Sequence, residues 1–254
     1  MKTCKRLLSL YGGSLLLTAV FLAVWETGAR LYDRSFILPA PSAIIVRLYE
    51  LADVLMLVHL PATLAVILTG LLISTVFGVA LAVWMTMSPT AERTFYPIII
   101  ASQTIPIIAL APIFVLWFGY SMWSKVAVTV LITFFPITVN TFDGIRQVNR
   151  DMQDLLKTMG ASKRQLFMKL TVPASLPAFY SGLKVAVTLS VIGAAIGEWL
   201  GASRGLGYFS RRMMTQMDGA GVFAPIVLLS LLGILLFLAV KVLEYYTLKG
   251  RTSS

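Results

Sequence analysis

Charged residues are absent from long stretches of this chain, and those stretches set its architecture. Residues 7–25, 54–91, 94–124, 126–142 and 219–240 carry no Asp, Glu, Lys or Arg, and 170–197 is interrupted only by Lys184. A helix that crosses the hydrocarbon core needs about 20 mostly apolar residues. The runs therefore predict six spans, near 7–25, 60–86, 95–118, 123–142, 177–197 and 222–242. Barrel strands alternate apolar and polar positions, and these runs do not. The expected fold class is all-α: a polytopic membrane protein, with 1–254 as a single transmembrane domain.

Composition agrees. The 254 residues are 58% hydrophobic and only 13% charged, against about 25% charged in soluble domains. The first run follows Lys2, Lys5 and Arg6 but is longer than a signal-peptide core and ends at Trp25-Glu26 without a small-x-small site, so it reads as a retained span. With both termini placed in the cytoplasm, thirteen Lys and Arg fall inside and seven outside, with Lys184 within a span. That bias satisfies the positive-inside rule. The net charge of +10 thus reports membrane orientation rather than nucleic-acid binding, and Lys184 reads as a side chain snorkelling to the cytoplasmic headgroups.

One segment is too long for a connector: 143–176, on the cytoplasmic side. Met152, Leu155, Leu156 and Met159 form an i, i+3, i+4, i+7 apolar stripe, with Asp154, Lys157 and Thr158 opposite. Gly160 stands where a helix ends in a left-handed residue. Ser162-Lys163-Arg164-Gln165 is a capping-box pattern for a second short helix, and Pro173 and Pro177 punctuate the return to the membrane. On pattern alone, such a helix pair either rests on lipid or docks a cytoplasmic protein.

The spacing Asp154-Leu155-Leu156, Gly160 and Leu170-Thr171-Val172-Pro173 resembles the loop signature of binding-protein-dependent ABC importer permeases. Gly and Pro are kept, Asp replaces Glu, and two leucines replace two alanines. Ile37-Leu38-Pro39-Ala40-Pro41-Ser42, Ser102-Gln103-Thr104-Ile105-Pro106 and Gly197-Glu198-Trp199-Leu200-Gly201 are similar to the nitrate, sulfonate and taurine type, whose relatives import thiamine-pyrimidine precursors. The resemblance implies ABC ATPase subunits beneath the chain, an extracytoplasmic substrate-binding protein above it, and a second permease copy beside it in a bacterial inner membrane. It makes 152–161 the coupling helix, with Met152, Asp154, Leu155, Leu156, Met159, Gly160, Ala161 and Pro173 engaging the ATPase. It also offers 201–221 as an outer docking surface. The stretch 102–106 and the run 134–140 look closest to the pyrimidine-precursor permeases, ahead of sulfonate, taurine or nitrate.

Chemistry of other kinds finds little support. One cysteine, Cys4, and one histidine, His59, exclude a multi-histidine or thiolate metal centre. No phosphate-loop motif is present, so ATP and Mg are expected on a partner subunit and no cofactor on this chain. A gradient-driven secondary transporter, the rival reading, needs intramembrane carboxylates, and every Asp and Glu lies outside the proposed span cores. Gln103 and Thr104 are polar positions in an apolar span and are candidates for the translocation path. Glu198 reads as a solvated interfacial carboxylate near Arg204, or with it as an outer docking contact. Pro106, Pro112 and Pro136 can kink their spans, and Gly70 and Gly78 suit close helix approach.

Overall fold

In the computed structural model, which describes residues 2–249 and the side chains from Gly12 onward, the described residues are helical and contain no strand. The helices are α1 (Lys2–Tyr32), α2 (Pro41–Glu50), α3 (Ala52–Met87), α4 (Pro89–Ser102), α5 (Ile107–Phe118), α6 (Met122–Arg146), α7 (Arg150–Thr158), α8 (Lys163–Gly201), α9 (Leu206–Thr215) and α10 (Gly219–Leu248). Five of them are long and apolar enough to cross a membrane, and α4 with α5 makes a sixth, broken crossing.

Helix α6 is the axis of the bundle. It packs between α3 and α8, and glycines let both approach closely. A Cβ at Gly70 would fall 2.6 Å from Thr129 Cγ2, and one at Gly182 only 2.5 Å from the Pro136 carbonyl. Polar groups along this seam are satisfied internally, as a lipid solvent demands. Ser74 Oγ lies 2.6 Å from Thr133 Oγ1, and the Thr129, Thr133 and Thr141 hydroxyls donate to carbonyls one turn back. Pro136 sits inside α6 without interrupting it.

Helices α3 and α8 are both longer than the predicted spans 60–86 and 177–197, for one shared reason. Near its start each contains a π turn (Leu55–His59, Phe167–Thr171) that ends two residues before a proline, Pro61 or Pro173. A proline has no N–H and its ring crowds the carbonyl four residues back. The wider i→i+5 turn re-routes those bonds, so the helix continues. Pro173 and Pro177 therefore do not punctuate a return to the membrane: the helix that starts at Ser162 runs unbroken into α8, 39 residues and about 58 Å long.

The third predicted span is not straight. Helices α4 and α5 meet at an angle of 102°. Packing fixes the depth of the break. Helix α4 contributes Ile99 to a cluster with Ala82, Met85 and Phe142, whereas α5 contributes Ala111 to one with Val128 and Ile132. The hand-over falls near the midpoint of α6.

Helix α1 stands off the bundle, with 6% of its apolar window buried. Glu26 ties it down at one end, accepting from the Ser42 amide (3.0 Å) and hydroxyl (2.7 Å) and from Arg30 Nε (2.6 Å). Near the same end, Arg47 bridges α2 to the head of α10 through Asp218 at 2.8 Å.

Candidate functional site

Helix α7 is built by its caps. Asn149 Oδ1 accepts from the Asp151 amide at 2.8 Å, satisfying one of the donors a helix start leaves free. At the other end Gly160 takes φ +82°, its N–H donates to Lys157 O, and the Ala161 N–H donates to Leu156 O. This is the paired Schellman arrangement that halts a helix. The capping box at Ser162 and Gln165 then forms in full, with the Gln165 side chain accepting from the Ser162 amide at 2.8 Å.

The apolar stripe of α7 splits between two faces. Met152, Leu155 and Met159 are 47%, 55% and 73% exposed, whereas Leu156 is half-buried beside Ala161. Asp154 pairs with Lys157 at 2.8 Å along the exposed rim. Three large apolar side chains in a row are thus left without cover in the single chain. Pro173 is half-buried where α8 resumes α-helical bonding after the π turn. Arg146, at the foot of α6, bonds Glu92 of α4 and lies 5.4 Å over the Phe142 ring, so the stem of this loop is anchored to two helices.

Gln103 and Thr104 lie in the break between α4 and α5, and both are exposed. The Gln103 and Thr104 amides close tight turns onto Ile100 and Ala101. Among the described residues, none donates a hydrogen bond to the carbonyls of Gln103, Thr104 or Ile105. Irregular backbone at membrane depth is tolerated where it is covered by protein or faces water, so this side of the bundle is not built for lipid alone. The signal was present in sequence: three polar residues followed shortly by Pro106.

Two ionic positions differ from their sequence reading. Glu198 is 1% exposed and therefore is neither a solvated carboxylate nor a surface docking contact. It accepts from Thr63 Oγ1 and from the Gly207 amide, each at 2.8 Å. Arg204 is exposed on the loop that follows. Lys184 does not snorkel to headgroups but pairs with Glu244 of α10 at 2.8 Å, next to a Tyr180–Thr247 hydroxyl contact at 2.7 Å. Beyond the Glu198 end, α9 carries Arg211 and Arg212 over a cleft of about 380 Å³ shared with Tyr120 and Tyr208.

A bundle of broken and continuous apolar helices, with an uncovered amphipathic helix at one end, defines a multi-pass membrane protein. The chain belongs to the inner membrane components of binding-protein-dependent transport systems, the family that residues 74–245 match. It is an ABC importer permease of the inner membrane. The chain is 60% identical to the formylaminopyrimidine transport permease protein ThiX of Halalkalibacterium halodurans, over 91% of this chain and 93% of that protein. The riboflavin transport system permease protein RibX of Chloroflexus aurantiacus is 31% identical over 92% and 88% of the two chains. The taurine transport system permease protein TauC of Escherichia coli is 28% identical over 89% and 85%.

Proposed function

We propose that this permease carries a thiamine-pyrimidine precursor of the formylaminopyrimidine kind, as a homodimer driven by two ABC ATPase subunits and supplied by an extracytoplasmic binding protein. The identity of 60% with a formylaminopyrimidine permease carries the cargo assignment. Sulfonate, taurine and nitrate are the alternative cargoes, and the 28% identity with a taurine permease supports that route more weakly. The chain contributes no catalytic group and holds no cofactor; ATP and Mg sit on the partner ATPase.

The coupling assignment rests on α7. Its open face of Met152, Leu155 and Met159 suits a groove on the ATPase, with Asp154 and Lys157 at the rim. Positive-inside bias puts α7 and both termini in the cytoplasm, and α9 outside. Closure of the ATPases on ATP brings the two coupling helices together. Because the Ser162 cap leads directly into the 39-residue α8, that movement tilts α8 as a rod and turns the path from inward-facing to outward-facing. Gln103 and Thr104, with the free carbonyls beside them, supply polar contacts at mid-depth for a small polar solute, the second copy closing the other side.

The test is ATP hydrolysis by the chain reconstituted in lipid with its ATPase and binding protein, alongside uptake of formylaminopyrimidine and of taurine into vesicles. Hydrolysis stimulated by the binding protein and lost in Leu155→Asp and Leu156→Asp, with both variants still inserted, is the expected result. Uptake of taurine but not of the pyrimidine would overturn the cargo. Normal hydrolysis in both variants would overturn the coupling helix.

A further inference from the structure

The first turn of α9 is capped by no residue of its own segment. A helix start leaves amides that its own backbone cannot satisfy, and here three consecutive ones are taken by side chains of other helices. The Gly205 N–H donates to His59 Nδ1 (3.0 Å), the Leu206 N–H to Thr63 Oγ1 (2.8 Å) and the Gly207 N–H to Glu198 Oε2 (2.8 Å). Thr63 in turn donates its hydroxyl proton to Glu198 Oε1 at 2.8 Å. One hydroxyl thus joins α3, α8 and α9. Since Nδ1 accepts, the neutral His59 ring carries its proton on Nε2.

The surroundings are shaped for this contact. Gly205 has φ +121°, and a Cβ there would fall 2.2 Å from the Glu198 carboxyl carbon; one at Gly207 would fall 2.8 Å from the Ala195 carbonyl. His59, Thr63, Glu198, Gly205, Leu206 and Gly207 are all buried. A carboxylate taken out of solvent is costly unless hydrogen bonds repay it. A merely structural cap would need only a local Ser or Asp, as at Ser162 and Asp218.

We infer that Glu198, Thr63 and His59 are positioning residues that lock the outer helix α9 to α8 and α3 together, so that engagement of α9 by the binding protein reaches the ATPase through α8. This inference rests on the importer mechanism proposed above. Glu198 stands in the last turn of α8, whose other end is the capping box after the coupling helix. Helix α9 carries exposed Arg211, which also donates to the Trp199 carbonyl of α8, and exposed Arg212, and its first turn is bonded to His59 and Thr63 of α3 as well. A tilt of α8 against α3 therefore either drags α9 or breaks the cap. Whatever holds α9 in one place biases α8 in the same way.

Thr63→Val keeps the side-chain shape and removes all three hydroxyl bonds, to Glu198 Oε1, to the His59 carbonyl and from the Leu206 amide. In the reconstituted complex of permease, ATPase and binding protein, the expected result has three parts. Basal hydrolysis stays within about twofold of wild type, while stimulation by the binding protein falls about tenfold, within the range of allosteric couplings. Amide exchange across 205–215 accelerates about tenfold, whereas 222–240 is unchanged. Glu198→Gln, which keeps an acceptor oxygen, retains more stimulation than Glu198→Leu. Wild-type stimulation in Thr63→Val would overturn the inference. So would a parallel fall of basal and stimulated hydrolysis with faster exchange in every helix, which would mark a purely structural cap. Failure of the wild-type permease to respond to the binding protein would instead refute the importer mechanism itself.

Discussion

Gly182→Ala places one methyl group at one of the tightest points of the α6–α8 seam. In an unobstructed helix interior the change stabilises by roughly 1 kcal/mol, because glycine is the poorer helix former. Here the new Cβ would lie 2.5 Å from the Pro136 carbonyl oxygen and 2.8 Å from Asn140 Cβ. A carbon settles against a carbonyl at about 3.3 Å, so the two helices must part by about 0.8 Å. The obstacle is backbone and cannot rotate away. The Pro136 carbonyl also accepts from Asn140 Nδ2 at 2.8 Å, and that bond is strained by the same displacement. Overpacking costs about 1–3 kcal/mol, and a weakened hydrogen bond about 1, which together exceed the gain in helix propensity. The net expectation is a loss of about 1–3 kcal/mol. Gly233→Ala is the matched control: its Cβ would meet Val191 Cγ2 at 3.5 Å, ordinary contact, and should be neutral or gain up to about 1 kcal/mol. Reversible unfolding in mixed detergent micelles measures both. If Gly182→Ala proves as stable as Gly233→Ala, close packing of α8 on α6 is not what that glycine serves.

Two further substitutions test local claims. Lys184→Met leaves Glu244 without its partner between α8 and α10, and should cost about 1–3 kcal/mol, below the full value for a buried pair because both side chains keep some exposure. Adding Glu244→Gln should recover at least half in the same unfolding assay, and strictly additive losses would show that the pair is not coupled. Gly160→Ala keeps open space around its Cβ but forces a left-handed backbone on a residue that resists it, at about 1–2 kcal/mol. Affinity for the ATPase, measured by co-purification, should fall about five- to thirtyfold by the corresponding equilibrium shift, with Gly160→Asn less affected; equal binding by all three would refute the cap.

What was legible in the sequence is what local chemistry writes. The left-handed Gly160 that ends α7 and the capping box at Ser162 each depend on residues within a few positions, and each is present in the structure. The number of crossings was legible because hydropathy measures the solvent a segment sees. Hydropathy does not measure path, so 95–118 read as one span that Pro106 and Pro112 could kink, whereas it turns through 102° at its polar trio and Pro106. The prolines after 171 read as stops because the π turn that absorbs them has no sequence signature of its own. Glu198 and Lys184 were misjudged for a common reason. Their partners, Thr63 and Glu244, lie 135 and 60 residues away, and only the assembled bundle brings them together. The closely spaced glycines at 205 and 207 were the available hint that something large occupied the space beside them.

The break between α4 and α5 also bears on how such a chain comes to be built. At 14 and 12 residues the two halves are about 21 and 18 Å long, and neither alone bridges a hydrocarbon core of about 30 Å. Residues 94–124 nevertheless have the length and apolarity of one ordinary span. A nascent chain delivered to lipid at that moment gains nothing by bending, since the freed carbonyls at 103–105 would face hydrocarbon. The bend becomes affordable only once α6 has been synthesised and inserted to receive Ile99 on one side and Ala111 on the other. The bent shape of this element is thus specified by residues outside it, since Ile99 and Ala111 find their buried partners on α3 and α6.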